Sequence, residues 1–137
     1  REKAWIFNKF GRVRHLPREE SFKGVNSLIQ GCCADIVKHA MVRVHERLRG
    51  LKSHLLLMIH DELVLEIHES EMYLLEGIMQ DMSDWKHLFK VAIDVDVSIT
   101  DTSWADMEKI ESVPAFITQW NAMLKGETVS EKVLQTA

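Results

Sequence analysis

The stretch Leu55-Leu56-Leu57-Met58-Ile59-His60-Asp61-Glu62-Leu63-Val64-Leu65-Glu66-Ile67 carries the pattern from which the fold is read. Residues 55–59 form an apolar run of strand length. Beyond the polar break, Leu63, Leu65 and Ile67 alternate with Glu62, Val64 and Glu66. Two such runs separated by a few polar residues predict a β-hairpin. Its turn breaks the usual rule. Short hairpin turns favour Asn-Gly, Asp-Gly or Gly-X, because the backbone there needs positive φ. This turn carries His60-Asp61-Glu62 and no glycine. Places where local rules fail are enriched for function.

The residue types at the turn suit a hard cation. A carboxylate on a rigid turn, with a second beside it, can bind Mg²⁺ while substrate phosphates and water complete the octahedron. On residue chemistry alone, a solvated turn whose acids stay wet is the competing reading. His60-Asp61 also suggests an HD-type metal phosphohydrolase. Such a site needs further His and Asp ligands on nearby helices, and His39 and His45 do not show that spacing.

Upstream of the hairpin, residues 26–49 predict a helix closed by Gly50. Ile29, Cys33, Ile36, Ala40, Val44 and Leu48 recur at three- and four-residue spacing, the mark of one buried stripe. Asn26 and Gln30 share a face of that helix. Amide donors there could test base-pair shape in a DNA minor groove, whose acceptors sit at nearly equivalent places in every pair. An ordinary helix start, with Asn26 as N-cap, is the alternative. Residues 1–25 are basic and broken by Gly11, Pro17 and Gly24, and read as a helix end, a turn and a loop. Residues 11–17 within them read as short, basic and extended.

Downstream, residues 70–85 predict a helix capped by Ser70, with Met72, Leu75, Ile78, Met79 and Met82 facing the core. Residues 91–99 alternate, with Val91, Ile93, Val95, Val97 and Ile99 on one face, and predict a half-buried strand. Pro114 opens a last helix to about Lys125. The fold class expected is α+β, an antiparallel sheet with packed helices.

A chain of 137 residues is about one domain and buries roughly two-thirds of its unfolded surface. No apolar run reaches the ~18 residues of a membrane span, and no signal-peptide pattern opens the chain. Adjacent Cys32 and Cys33 are poorly placed for a disulfide and suit a reducing compartment. Charge is asymmetric. Residues 1–52 hold 12 Lys/Arg against 5 Asp/Glu, a net of +7. Residues 53–137 hold 5 against 16, a net of −11. A basic first part can meet phosphates and an acidic second part can hold cations, although unequal solvated faces would give the same balance. The chain opens on Arg1 rather than Met, so truncation is expected.

The motifs together resemble a known family. Leu57-Met58-Ile59-His60-Asp61-Glu62-Leu63-Val64-Leu65-Glu66 is similar to motif C of the family A (Pol I-like) DNA polymerases. Residues 26–38 resemble that family's N-x-x-x-Q-G-x-x-A-D helix, and Phe10-Gly11-Arg12-Val13-Arg14-His15-Leu16-Pro17 its F-G-R-x-R-x-x-P segment. Residues 91–104 are similar to its closing strand and tryptophan-containing end. Order and spacing agree over about residues 5–106.

The resemblance implies a C-terminal palm portion of a polymerase: residues 1–25 a basic segment, 26–106 the palm core, 107–137 an extension without assigned role. It implies Asp61 and Glu62 as catalytic, metal-binding carboxylates for a two-metal Mg²⁺ site. It implies His60 near the primer terminus, Asn26 and Gln30 at the minor groove, and Arg12 and Arg14 near the DNA backbone. The implied partners are primer-template DNA, deoxynucleoside triphosphates and the missing N-terminal part of the polymerase domain. The implied setting is the cytoplasm of a bacterial or phage-infected cell. Phe22, beside Lys23, stands where the family often has an arginine, and Cys32-Cys33 where Thr-Ala is common. The family's other metal-binding aspartate and its fingers helix are not in this sequence, so the isolated chain is expected to be inactive. A non-catalytic DNA-binding remnant or an accessory subunit of a split polymerase is the alternative.

Overall fold

In the computed structural model, which describes residues 3–126, three helices pack against three two-stranded antiparallel ribbons. The first ribbon pairs β1 (Lys3–Phe7) with β2 (Val13–Pro17). A 3-10 turn (Arg18–Lys23) leads into α1 (Gly24–Leu48). The second ribbon pairs β3 (His54–Ile59) with β4 (Glu62–Glu66). After a 3-10 turn (Glu69–Glu71) comes α2 (Leu74–Ser83). The third ribbon pairs β5 (Val97–Ile99) with β6 (Glu108–Ile110), and α3 (Val113–Leu124) follows. The α+β class is as expected, with the strands distributed over separate ribbons.

The central hairpin and the long helix form where the sequence patterns put them. Gly50 has φ +76, the left-handed conformation that closes a helix and that a side chain resists. Asn26 is not the N-cap. It lies inside α1, which starts at Gly24, and the cap position, Lys23, makes no side-chain hydrogen bond.

The stripe on α1 holds only in its C-terminal half. Ala40, Val44 and Leu48 are buried, but Ile29 is 57% exposed and Cys33 lies at the surface. In the N-terminal half Cys32, Asp35 and Val37 are buried instead. The cause is a change of partner. Near its start α1 meets the β1–β2 ribbon, with Gly24 against Ile6 and Leu16, and further on it meets α2 and β3. Residues 3–17 thus supply a strand pair where a helix end, a turn and a loop were expected, although the extended reading around β2 is right.

One apolar cluster joins Val44 and Leu48 of α1 to Leu74 and Ile78 of α2, roofed by Leu55, Leu63, Leu65 and Ile67 of the hairpin. A second joins Met72 and Leu75 to Val113, Phe116, Ile117 and Trp120 of α3 and to Val97, Ile99 and Ile110 of the third ribbon. Trp120 Nε1 donates to the Glu69 carbonyl at 2.8 Å. The described part of the segment beyond residue 107, read without a role, therefore closes this second cluster. Residues 127–137 lie outside the described residues.

Two further expectations are corrected. The helix expected over residues 70–85 begins at Leu74, and His68 rather than Ser70 caps the preceding 3-10 turn by accepting from the Ser70 N–H. The strand expected over residues 91–99 is confined to β5. Residues 93, 95, 97 and 99 are half-buried and 92, 94, 96 and 98 exposed, so the alternation is real. A strand also needs a partner, and β6 pairs only with its last three residues.

The helices are tied by charge as well. Arg47 grips Asp81 through Nε at 2.5 Å and Nη2 at 3.0 Å. Its guanidinium lies across Gly77, where a Cβ would stand 2.6 Å from the guanidinium carbon. The hydrogen bond that Arg47 donates to Asp81, and then the Asp81 charge, raise the Arg47 pKa against the effect of burial.

Glu71 fastens the loop between α1 and β3. Its buried carboxylate accepts from the Ser53 hydroxyl at 2.6 Å and from the N–H groups of Ser53 at 2.9 Å and Lys52 at 3.1 Å. The His68 N–H donates to Ser53 Oγ at 3.0 Å. The Ser53 hydroxyl and these backbone donors hold the Glu71 carboxyl below its ordinary value, against the effect of burial. A depressed carboxyl stabilises the fold fully above its unfolded pKa of about 4.3 and loses that contribution as pH falls through the folded value. We expect stability to fall between neutral pH and the acid side of that range, and Glu71→Gln to flatten the fall. Urea unfolding midpoints at a series of pH values check this. An equal acid loss in both proteins would contradict it.

Candidate functional site

The β3–β4 turn is a two-residue loop. Ile59 pairs with Glu62, so His60 and Asp61 alone make the loop. His60 takes φ +53, the one non-glycine residue with positive φ among those described. Positive φ at the first loop position alone is the sign pattern of a II′ turn, which prefers glycine there. A histidine in that place carries local strain, as residues at functional turns often do. His60, Asp61 and Glu62 are all exposed, and neither carboxylate has an ion-pair partner among the described residues.

Among the described residues no three His, Cys, Asp or Glu side chains converge to hold a metal ion. Asp61 and Glu62 supply hard oxygen donors on a fixed turn. That donor set fits Mg²⁺, which keeps several waters and takes one or two carboxylates.

A second feature lies between the β1–β2 ribbon and the start of α1. An open groove of about 380 Å³ is walled on one side by Ile6, Asn8, Arg12, Val13 and Arg14, and on the other by Ser27, Leu28, Gln30, Gly31 and Ala34. Three residues singled out from sequence, Arg12, Arg14 and Gln30, therefore share one groove. Asn26 is exposed one turn before Gln30 on α1. His60, Asp61 and Glu62 do not line the groove; they sit on the hairpin, whose β3 strand packs against α1.

Two of the groove residues, Asn8 and Arg12, bond to a group to which sequence reasoning gave no role. Asp35 is buried, and its carboxylate accepts from Arg12 Nε at 3.0 Å, from Arg12 Nη2, and from Asn8 Nδ2 at 2.5 Å. Burial pushes the Asp35 carboxyl up. The hydrogen bonds from Asn8 and Arg12 and the charges of Arg12 and Lys38 outweigh that and leave it below its ordinary value. A signal existed, since Asp35 is an acid between the apolar Cys32 and Ile36-Val37 on a core helix. Phe22 is 77% exposed, and its neighbour Lys23 pairs with Glu20 at 3.3 Å.

Comparison with known families matches residues 6–106 to DNA polymerase family A, a span that holds both the groove and the turn. The chain belongs to that family. The thermostable DNA polymerase I of Thermus filiformis is 32% identical over 109 residues, covering 72% of this chain and 13% of that protein. DNA polymerase I of Bacillus subtilis is 30% identical over 118 residues, 77% of this chain and 13% of the relative. DNA polymerase I of Chloroflexus aurantiacus is 36% identical over 91 residues, 64% of this chain and 10% of the relative. The chain thus spans about an eighth of the length of the curated family members it matches most broadly. No solved structure matches. No helix among the described residues is long and apolar enough to cross a membrane.

Proposed function

We propose that this chain is the C-terminal palm portion of a DNA-directed DNA polymerase that copies a template by two-metal nucleotidyl transfer. The observation that carries the reading is a single family match over residues 6–106, which contains an exposed carboxylate turn and a basic, amide-bearing groove. In this reading residues 1–25 are a basic segment, residues 26–106 the palm core and residues 107–137 an extension. Pairing of β6 with β5 supports an extension packed on the core.

Asp61 and Glu62 would hold Mg²⁺ on the turn. When bound, the ions supply charge neutralisation at the attacking and leaving oxygens of the displacement. In that reaction the primer 3′-oxygen bonds to the α-phosphorus of a deoxynucleoside triphosphate, pyrophosphate leaves, and the hydroxyl proton passes to water. The protein contributes positioning and charge. His60, held at the apex, faces the primer terminus. Gln30 and Asn26 offer amide donors to the minor groove. Arg14, exposed and without an ion pair among the described residues, meets a backbone phosphate. The setting this activity implies is the cytoplasm of a bacterial or phage-infected cell.

The purified chain alone is expected to incorporate no nucleotide on a primed template with Mg²⁺. Adding a polypeptide that carries the upstream part of a family A polymerase domain is expected to restore primer extension, read on a sequencing gel. Extension by the isolated chain would overturn its proposed incompleteness. DNA binding that never leads to extension, whatever is added, would favour a non-catalytic DNA-binding piece.

A further inference from the structure

Arg12 lies in the groove, yet its guanidinium is already engaged. Nε and Nη2 make a two-point contact with Asp35, whose side chain is 7% exposed. Asn8 completes the arrangement. Its amide nitrogen donates to Asp35, while its Oδ1 accepts from the N–H groups of Phe10 at 3.0 Å and Arg12 at 2.9 Å. The Asn8 N–H donates to the Arg12 carbonyl at 3.0 Å, and the Gly11 N–H to the Asn8 carbonyl at 3.1 Å. Gly11, at φ +80, lets the turn close. One buried carboxylate on α1 therefore fixes both ends of the turn that joins β1 to β2.

We infer that Asn8, Arg12 and Asp35 form a latch that positions the groove, and that Arg12 acts through Asp35 rather than as a ligand of DNA phosphate. The inference rests on the proposed DNA-binding role of the groove. Two observations support it. A planar guanidinium held bidentately by a carboxylate presents a neutral pair to its surroundings, so it releases little of the counterion atmosphere of DNA. The latch also sets what the groove needs, the distance between Arg14 on β2 and Gln30 on α1. Asn8 and Arg12 are in the ribbon wall, and Asp35 follows Ala34 of the helix wall.

Charge counting and the latch give opposite expectations, which makes the test sharp. Binding of a fluorescently labelled primer-template duplex to the full chain is measured by anisotropy across a series of potassium chloride concentrations. Arg14→Ala should weaken binding and reduce the slope of log affinity against log salt by about 0.9, the signature of one lost phosphate contact. Arg12→Ala and Asp35→Asn should both weaken binding several-fold with the slope unchanged. Asp35→Asn removes a negative charge beside a polyanion, so tighter binding by this variant would overturn the latch. A reduced slope in Arg12→Ala would overturn it too. Should Asp35→Asn fail to fold, Arg12→Lys decides. It keeps the cation but not the two-point geometry. Weaker binding at unchanged slope supports the latch, and unchanged affinity refutes it. Normal Arg14→Ala behaviour alongside any of these failures sinks the latch alone. A wild-type chain without salt-dependent affinity sinks the DNA reading and the latch together.

Discussion

Asp61→Ala should abolish primer extension when the chain is combined with the upstream part of a family A polymerase domain. The expected loss follows from the proposed role. A metal ion supplies several kcal/mol of transition-state charge stabilisation, and about 1.4 kcal/mol corresponds to tenfold in rate, so the loss is on the order of 10³-fold. The fold should not change, because Asp61 is exposed on a two-residue loop and has no ion-pair partner among the described residues. Thermal melts of the variant and the parent should therefore coincide. Glu62→Ala, one position along, should cost less, since it is read as supporting the same ion. Extension that survives Asp61→Ala at the parent's rate would remove this residue from the chemistry.

Trp85→Ala should be the most destabilising substitution at a single core position. Trp85 is 2% exposed and is the largest of the fully buried side chains. Its Nε1 donates to the Met82 carbonyl at 2.6 Å. The Arg43 guanidinium lies 4.2 Å from the ring centroid, and Phe10 meets the ring edge-on at 5.6 Å. Phe10 in turn stacks on His39 of α1 at 4.9 Å. Trp85 thus joins the first ribbon's turn, α1 and the segment after α2. Emptying a buried tryptophan site typically costs about 3–5 kcal/mol. Urea denaturation read by circular dichroism measures it. Trp85→Phe keeps much of the apolar volume and should cost visibly less. A loss below about 1 kcal/mol for Trp85→Ala would place it in the range of ordinary surface changes and contradict the packing described.

The two sites differ in how visible they were beforehand. The turn at His60-Asp61-Glu62 could be found because a polar, glycine-free break between apolar runs is a local fact, written in adjacent residues. The positive φ of His60 then gave that anomaly a conformation. The groove was half visible. Gln30 was singled out by its spacing from Asn26, and Arg14 by resemblance, and the fold brings both to the groove. Arg12 was also chosen by resemblance, but its partner Asp35 is 23 residues further along the chain, and no spacing rule connects them.

The sequence by itself determined the elements whose signals are local. These are the hairpin, the C-terminal half of α1 with its Gly50 stop, the last helix opened by Pro114, and the motif order that places the chain in its family. Tertiary structure alone decided which face of α1 near Ile29 is covered, and that residues 91–96 form no strand while residues 97–99 do. It also decided that Arg12 is tied to Asp35. The physical reason is the same each time. Periodicity and turn chemistry are properties of neighbours along the chain, whereas burial, strand pairing and charge neutralisation are relations between distant segments that exist only once the chain has folded.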